Sequence, residues 1–304
     1  MNDDAPSSPD HEPFELAVQR PGGRRSDVVP AGSFAIPSFA GPSDAALFES
    51  FVAESYFAPF SELAAGALLA SDHARVAHLL SRTGFLDARV AARLPGARIS
   101  GAEPSPDAVR LANVKAAASC DFLAEHVVAP ALPTPLAEGV FSHSVCVHPP
   151  GGHAFRAALL GELMRVLRPD GQVVLVMPVR GSFRELYDLM REYALKNEIA
   201  PLEQAIQLAI EERPTAETLS RELEAEGFVD VDVELHRAAM AFGPPDRVLE
   251  DPAMRLVVLP DVMATFIDTG PETLDYVRGA IAKYWSDATF ALSVNVACAV
   301  GRKP

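Results

Sequence analysis

The residues with the clearest chemical potential lie in one short stretch, RVAHLLSRTGFL (75–86), which runs from an apolar segment through a glycine into a helix-like run. A loop between a strand and a helix is a common setting for nucleotide binding, because its glycines let the main chain pass close to the bound molecule. Gly84 is the one glycine in this stretch. The stretch therefore has the position expected of a nucleotide-binding loop, but only one of the glycines that such a loop needs.

A second group of reactive side chains lies in SHSVCVHPPGGH (142–153). His143, Cys146, His148 and His153 are of types that bind zinc or iron. On a strand, His143 and Cys146 point to opposite faces, so we expect no shared metal site. His148 follows the strand, at the edge where open α/β sheets bind ligands. Two interpretations of it stay open: a catalytic general base, or a histidine in a turn.

The elements that must position these residues alternate along the chain from residue 75, where apolar strand-like runs are followed by helix-like runs. Ser105 is a predicted N-cap, with Pro106 at the first helical position. Strands are predicted at 75–80, 97–103, 125–129, 139–147, 172–179, 229–240 and 288–301. This alternation predicts a parallel sheet with helices on both faces.

Composition limits the kind of protein. The chain has 304 residues, 49% of them hydrophobic, and a net charge of -15, which argues against binding to nucleic acid or to anionic membranes. Its first residues lack the profile of a signal peptide. Three scattered cysteines, Cys120, Cys146 and Cys298, give no disulfide framework. These features predict a soluble cytoplasmic protein.

The composition changes once, near residue 43. Residues 1–42 are rich in proline, glycine and serine and show little apolar periodicity, which predicts a disordered tail. Residues 43–304 are predicted to form the folded domain, with Ser43 as the N-cap of its first helix.

Several segments resemble the class I S-adenosylmethionine-dependent methyltransferases that act on small molecules, of the type 11-like group. The resemblance rests on LPGARISGAEPSPDAVRLA (94–112), FRAALLGELMRVLRPDGQVVLVMPV (155–179) and ETLSRELEAEGFVDVDVEL (217–235), which follow one another in the family's order. It implies a Rossmann-like seven-stranded sheet, parallel except for an antiparallel last strand inserted between the fifth and sixth. It indicates the fold rather than the activity.

The resemblance also assigns roles to the loop. The family's first strand ends in an acidic residue followed by three alternating glycines, and these positions fall on His78, Leu80, Arg82 and Gly84. Gly84 is kept, with Thr83 before it as in many members. The resemblance implies that these residues line the cofactor site, and that the side chains of Leu80 and Arg82 fill part of the cofactor's space.

Other cofactor positions have also changed. Pro130 stands where the family has an acidic residue near the adenine, and Phe141 and Ser142 replace the Phe-Asp pair that opens the fourth strand. Glu103 is kept at the end of the second strand, where the resemblance implies that it binds the ribose hydroxyls. An alternative role is that of an exposed acid beside a helix start, where the helix dipole favours it.

Residues 243–285 are predicted to form a helical insertion over the pocket between the last two strands. Eight apolar residues there could line an acceptor cavity or belong to the core: Met254, Leu256, Leu259, Met263, Phe266, Tyr276, Tyr284 and Trp285.

Two functional hypotheses follow. In the first, the chain is a diverged pseudo-methyltransferase that acts as a binding or regulatory module, without a cofactor. In the second, it is an active enzyme that transfers a methyl group from S-adenosylmethionine to an unknown small molecule or protein.

Overall fold

A computed structural model describes residues 34–35, 39, 41–150, 152–264, 266 and 271–304. Seven strands form one sheet: β1 (Arg75–Leu79), β2 (Arg98–Glu103), β3 (Leu123–Val128), β4 (Phe141–Val147), β5 (Leu167–Pro178), β6 (Val229–Ala241) and β7 (Ala291–Arg302). Two further short strands, Phe34–Ala35 and Ala131–Leu132, pair antiparallel beside it.

The strand order is β3-β2-β1-β4-β5-β7-β6. Neighbouring strands from β3 to β5 are parallel, whereas β7 runs antiparallel to both β5 and β6. The predicted Rossmann-like topology, with an antiparallel last strand between the fifth and the sixth, is therefore confirmed.

Ten α-helices surround the sheet: α1 (Pro42–Leu47), α2 (Ala58–Ala67), α3 (Asp87–Arg93), α4 (Pro106–Ala118), α5 (His153–Val166), α6 (Arg184–Lys196), α7 (Ala200–Glu212), α8 (Ala216–Glu226), α9 (Leu259–Met263) and α10 (Pro271–Tyr284), counted over the described residues. Short π-helical or 3₁₀ turns lie at Phe48–Val52, Pro245–Glu250 and Met254–Val258.

Helix starts follow local chemistry. The Ser105 hydroxyl accepts a hydrogen bond from the Ala108 N–H, and Pro106 opens α4, as predicted. The prediction for Ser43 was wrong, because α1 begins at Pro42 with Gly41 as its N-cap. Proline suits the first helical position, since it has no N–H to leave unpaired there, and this moves the helix start one residue earlier.

Hydrophobic residues pack against both faces of the sheet. One cluster joins Val76, Ile99 and Val145 to the helices of the N-terminal segment and the insertion. The other joins Ala77 and Cys146 of the opposite face to α5 and α8. All seven residues of β4 are buried, as expected for a central parallel strand covered on both faces.

The tail predicted for residues 1–42 lies almost wholly outside the described residues, so its disorder and its boundary at residue 43 stay predictions. Within the described ranges, no helix has the length and apolar character needed to cross a bilayer.

Candidate functional site

The loop after β1 keeps a glycine-type main chain at three alternate positions. Leu80, Arg82 and Gly84 all have left-handed φ values, of 56°, 49° and 66°. For residues with a Cβ this conformation costs about 1–2 kcal/mol each, and glycine avoids that cost. Leu80 and Arg82 therefore keep a left-handed main-chain conformation that is unfavourable for residues with a side chain.

Glu103 holds this loop through the main chain. Its carboxylate accepts hydrogen bonds from the main-chain N–H groups of Arg82, at 2.9 Å, and of Ser105, at 3.2 Å. Only 4% of Glu103 is exposed. Burial raises the pKa of Glu103, although the charge of Arg82 and the two N–H groups act in the opposite direction.

The side chain of Arg82 points into the site and is fixed there by rings. Its guanidinium carbon lies 4.9 Å from the ring centroid of Phe57 and 5.4 Å from that of Phe48. Such cation–π contacts stabilise a charge in apolar surroundings. Nη2 donates to the main-chain oxygen of His148 at 3.1 Å, whereas the buried Nε has no acceptor. Arg82 thus connects the first and fourth strand ends.

His148 is buried beneath this contact, with a φ of 51°. Its Nε2 lies 3.0 Å from the Tyr56 hydroxyl, and the rings of Phe57 and Phe60 flank the imidazole. Burial lowers the pKa of His148 to about 3, and the positive charge of Arg82 adds to this effect. The imidazole is therefore neutral at pH 7 and only weakly basic.

A cavity of about 260 Å³ opens at the carboxyl ends of the strands. Leu80, Arg82, Glu103 and His148 form its wall on the sheet side. The remaining lining comes from the N-terminal segment, the loop after β4 and the insertion: Phe39, Asp44, Pro150, Arg255, Leu256, Val257, Pro260, Asp261 and Ala264. The structure thus brings together four of the predicted site residues.

Two ion pairs connect the insertion to the rest of the chain at this cavity. Arg255 lies 3.2 Å from Asp44 of α1, and Arg213 lies 3.0 Å from Asp261 of α9. Sequence patterns did not indicate either pair, because each joins segments that are distant along the chain.

The other three predicted loop residues do not line this cavity. His78 is fully buried below the loop. The Thr83 hydroxyl donates to Glu49, and Gly84 borders a separate groove on the far side of the loop. A Cβ on Gly84 would lie 2.6 Å from Asp87 Oδ2, so tight packing as well as φ requires glycine there.

A buried polar network lies under the loop. Ser81 Oγ lies 2.9 Å from His126 Nδ1, and His126 Nε2 lies 2.8 Å from Asp87 Oδ2. The other oxygen of Asp87 faces His78 Nδ1 at 3.6 Å. Burial acts to raise the pKa of Asp87, but the two histidines outweigh it and lower the value to about 2. Because all four side chains are buried, this network supports the loop rather than facing the cavity.

The sequence contains one signal of this network that was not among the predictions above. Gly101 lies inside β2, where a glycine indicates close approach of another group. A Cβ at Gly101 would lie 1.9 Å from His126 Nδ1, so the imidazole occupies the space above this glycine.

The insertion residues divide between cavity and core. Leu256 alone among the eight predicted residues lines the cavity. Met254 is fully buried in the core, and Tyr284 is 49% exposed. The others pack against the larger hydrophobic cluster: Leu259, Met263, Phe266, Tyr276 and Trp285.

The reactive residues of the second group serve separate contacts. His143 contacts the Ser142 hydroxyl and the Leu69 carbonyl, and His153 pairs with Glu222. Cys146 is buried, and burial raises the pKa of its thiol. Within the described part of the chain, no three or more His, Cys, Asp or Glu side chains are grouped as metal ligands.

Comparison with known proteins agrees with this architecture. Residues 82–175 match the family model described as a methyltransferase domain. A protein of Bacillus halodurans assigned to the methyltransferases shares 17% identity, with 82% of this chain and 99% of that chain covered and a TM-score of 0.51. No curated protein matches the chain.

Two further solved structures are similar. YcgJ of Bacillus subtilis has 12% identity, coverage of 81% of this chain and 98% of that chain, and a TM-score of 0.50. Phosphoethanolamine N-methyltransferase 2 of Haemonchus contortus, solved with phosphomonomethylethanolamine and S-adenosylhomocysteine, has 15% identity and a TM-score of 0.50, over 86% of this chain and 57% of that chain. Such distant similarity establishes the fold and leaves the reaction open. Residues 82–175 therefore match the methyltransferase domain model, and the chain has the Rossmann-like methyltransferase fold.

Proposed function

We propose that this chain is a pseudo-methyltransferase, a binding or regulatory module that has kept the fold and does not bind S-adenosylmethionine. The observation that carries this proposal is the position of Arg82. Its guanidinium contacts the rings of Phe48 and Phe57 and donates a hydrogen bond to the main-chain oxygen of His148. At this loop position the family has a glycine, which has no side chain. The proposed partner is a small molecule or a protein.

The remaining space also supports the proposal. The cavity of about 260 Å³ is below the ~300–1,000 Å³ typical of pockets for drug-sized ligands. The side chains of Leu80 and Arg82 occupy part of the path that the glycine loop leaves open. These observations support a chain that does not bind the cofactor in the family's position.

Two observations favour the alternative, an active methyltransferase. Leu80 and Arg82 keep left-handed main-chain conformations, and Glu103 keeps its place at the end of β2. In this alternative Glu103 binds the ribose, and His148 is the candidate general base. The alternative requires the Arg82 side chain to leave its two aromatic neighbours.

Calorimetric and melting titrations of the full chain with S-adenosylmethionine and S-adenosylhomocysteine separate the two hypotheses. A ligand at 100 times its Kd stabilises a folded protein by about 2.7 kcal/mol, so moderate binding is readily detected. We expect no binding heat and no melting shift. Saturable binding that is lost in Glu103→Gln would overturn the proposal and establish the cofactor site.

A further inference from the structure

We propose that the cavity at Arg82 binds a small organic carboxylate with an apolar body. This inference rests on the proposed function, because it requires a site that S-adenosylmethionine does not occupy. It assigns the ligand class of the binding module: a monoanion that pairs with Arg82, with its apolar part against the insertion.

The first argument is charge. Arg82 is half-buried, its Nε is fully buried, and no carboxylate of the described residues comes within 4.0 Å of its guanidinium. Arg255, which lines the same cavity, pairs with Asp44, and Asp261 of the lining pairs with Arg213. A buried cation without an anionic partner is costly, and an anion bound at the cavity removes that cost.

Glu103 does not fill this role. Both of its carboxylate oxygens are engaged by main-chain N–H groups, those of Arg82 and Ser105. It contributes a longer-range field to Arg82 rather than a direct pair. The carboxylate of Glu103 is thus already committed to holding the loop.

The second argument is hydrogen bonding. A guanidinium has five N–H donors in a planar fork that matches a carboxylate. Among the described residues, the Arg82 side chain makes a single hydrogen bond, to the His148 carbonyl, and its buried Nε has no acceptor. The rings of Phe48 and Phe57 restrict the orientation of the group, so its remaining donors are held in a fixed arrangement.

The third argument is size and lining. A volume of 260 Å³ equals about nine water molecules at ~30 Å³ each, which suits a ligand of roughly ten non-hydrogen atoms. Leu80, Leu256 and Val257 supply apolar wall opposite the polar strand ends. A ligand with one charged end and a compact apolar body satisfies both parts of the lining.

The magnitude of the charge favours a carboxylate over a phosphate. One unpaired cation is balanced by one negative charge. Asp44, Glu103 and Asp261 also border the cavity, and a dianion would meet greater repulsion from them.

The test uses the full chain with phenylacetate and with phenylacetamide, which has the same shape and no charge. We expect saturable binding of phenylacetate by calorimetry and at least tenfold weaker binding of phenylacetamide. Inorganic phosphate should not compete. Equal affinity for acid and amide, absence of acid binding, or displacement of the acid by phosphate would each overturn the proposal.

Arg82→Gln should reduce phenylacetate affinity at least tenfold and leave phenylacetamide affinity within about threefold. Arg110→Gln, which removes an arginine paired with Asp107 on α4 outside the cavity, is the matched control and should change neither. If Arg82→Gln does not fold, the comparison of acid and amide on the native chain still decides the matter. The S-adenosylmethionine titration is scored separately, so lack of carboxylate binding with no cofactor binding refutes this inference alone.

Discussion

The main-chain N–H of Arg82 donates to the carboxylate of Glu103 at 2.9 Å. Arg82 stands at the second loop position where the family has a glycine. Glu103 is the acidic residue of the family's cofactor site that this chain has kept. Glu103 therefore has a structural role that does not depend on any cofactor: it fixes a loop whose main chain is strained at Leu80 and Arg82. A retained acid at this position is consequently weak evidence for cofactor binding.

Reopening the loop should restore cofactor binding only when both side chains are removed. We expect Leu80→Gly with Arg82→Gly to show a melting shift with S-adenosylmethionine that the native chain lacks. Each single variant should show none, because one large side chain still blocks the space and the two sites are coupled. Differential scanning fluorimetry with excess cofactor measures this.

The control for this experiment is Glu103→Gln in the double variant, which should remove the shift. His78 is left unchanged, because an aspartate there would place a second buried carboxylate beside Asp87. A folded double variant that gives no shift would contradict the prediction and show that the rest of the pocket also excludes the cofactor.

Stability should fall as the pH decreases below 6.5. Burial lowers the pKa values of His78, His143 and His148, in the last case to about 3. The unfolded chain, with histidine pKa values near 6.5, then takes up protons that the folded chain does not. Because of His148 alone, the free energy of unfolding should fall by about 2 kcal/mol between pH 7 and pH 5, as measured by urea unfolding at both pH values.

Because the pKa of His148 is lower in the folded chain, its contribution to the free energy of unfolding is complete above pH 6.5. As the pH falls, protonation of the unfolded chain removes this contribution progressively, down to about pH 3. In His148→Gln, the number of protons taken up on unfolding, which sets the pH dependence of the unfolding free energy, should fall by close to one. His73→Asn, at an exposed histidine, should leave it unchanged. Equal pH dependence in native and His148→Gln proteins would refute the assignment.

Asp87 should be the most sensitive residue of the buried network. Asp87→Asn removes the charge that pairs with His126 and faces His78, and we expect a loss of about 3 kcal/mol in unfolding free energy. Ser81→Ala removes one neutral hydrogen bond and should cost about 1 kcal/mol. Chemical denaturation measures both. Asp107→Asn, at a surface pair, should stay within about 0.5 kcal/mol of the native value.

A side chain at Gly101 of β2 should destabilise the fold, because His126 occupies the space next to this glycine. Gly101→Ala places a Cβ 1.9 Å from His126 Nδ1 and should cost about 3 kcal/mol through displacement of the imidazole. Gly66→Ala is the matched control: it lies exposed in α2 with no atom near its Cβ, and helix propensity predicts a gain of about 0.5–1 kcal/mol. Changes of the same sign in the two variants would contradict this view of Gly101.

The antiparallel last strand and its place between the fifth and the sixth were implied by the family resemblance. The sequence alone located the strands along the chain, because burial on both faces leaves apolar runs, and it located those helix starts that have a local chemical signal. Ser105 and Pro106 illustrate this, since both act within one turn of the chain. The sequence also located Leu80, Arg82, Glu103 and His148, because all four lie in or next to strand ends, and parallel strands bring those ends to one edge.

Only the tertiary structure decided what these residues do. Arg82 is held by Phe48 and Phe57, more than twenty residues earlier in the chain, and it lines a cavity together with Leu256 of the insertion. His126 reaches Asp87 across a glycine of the strand between them. Propensity and spacing carry information over a few residues, whereas ion pairs, ring contacts and cavity volume depend on packing between distant segments.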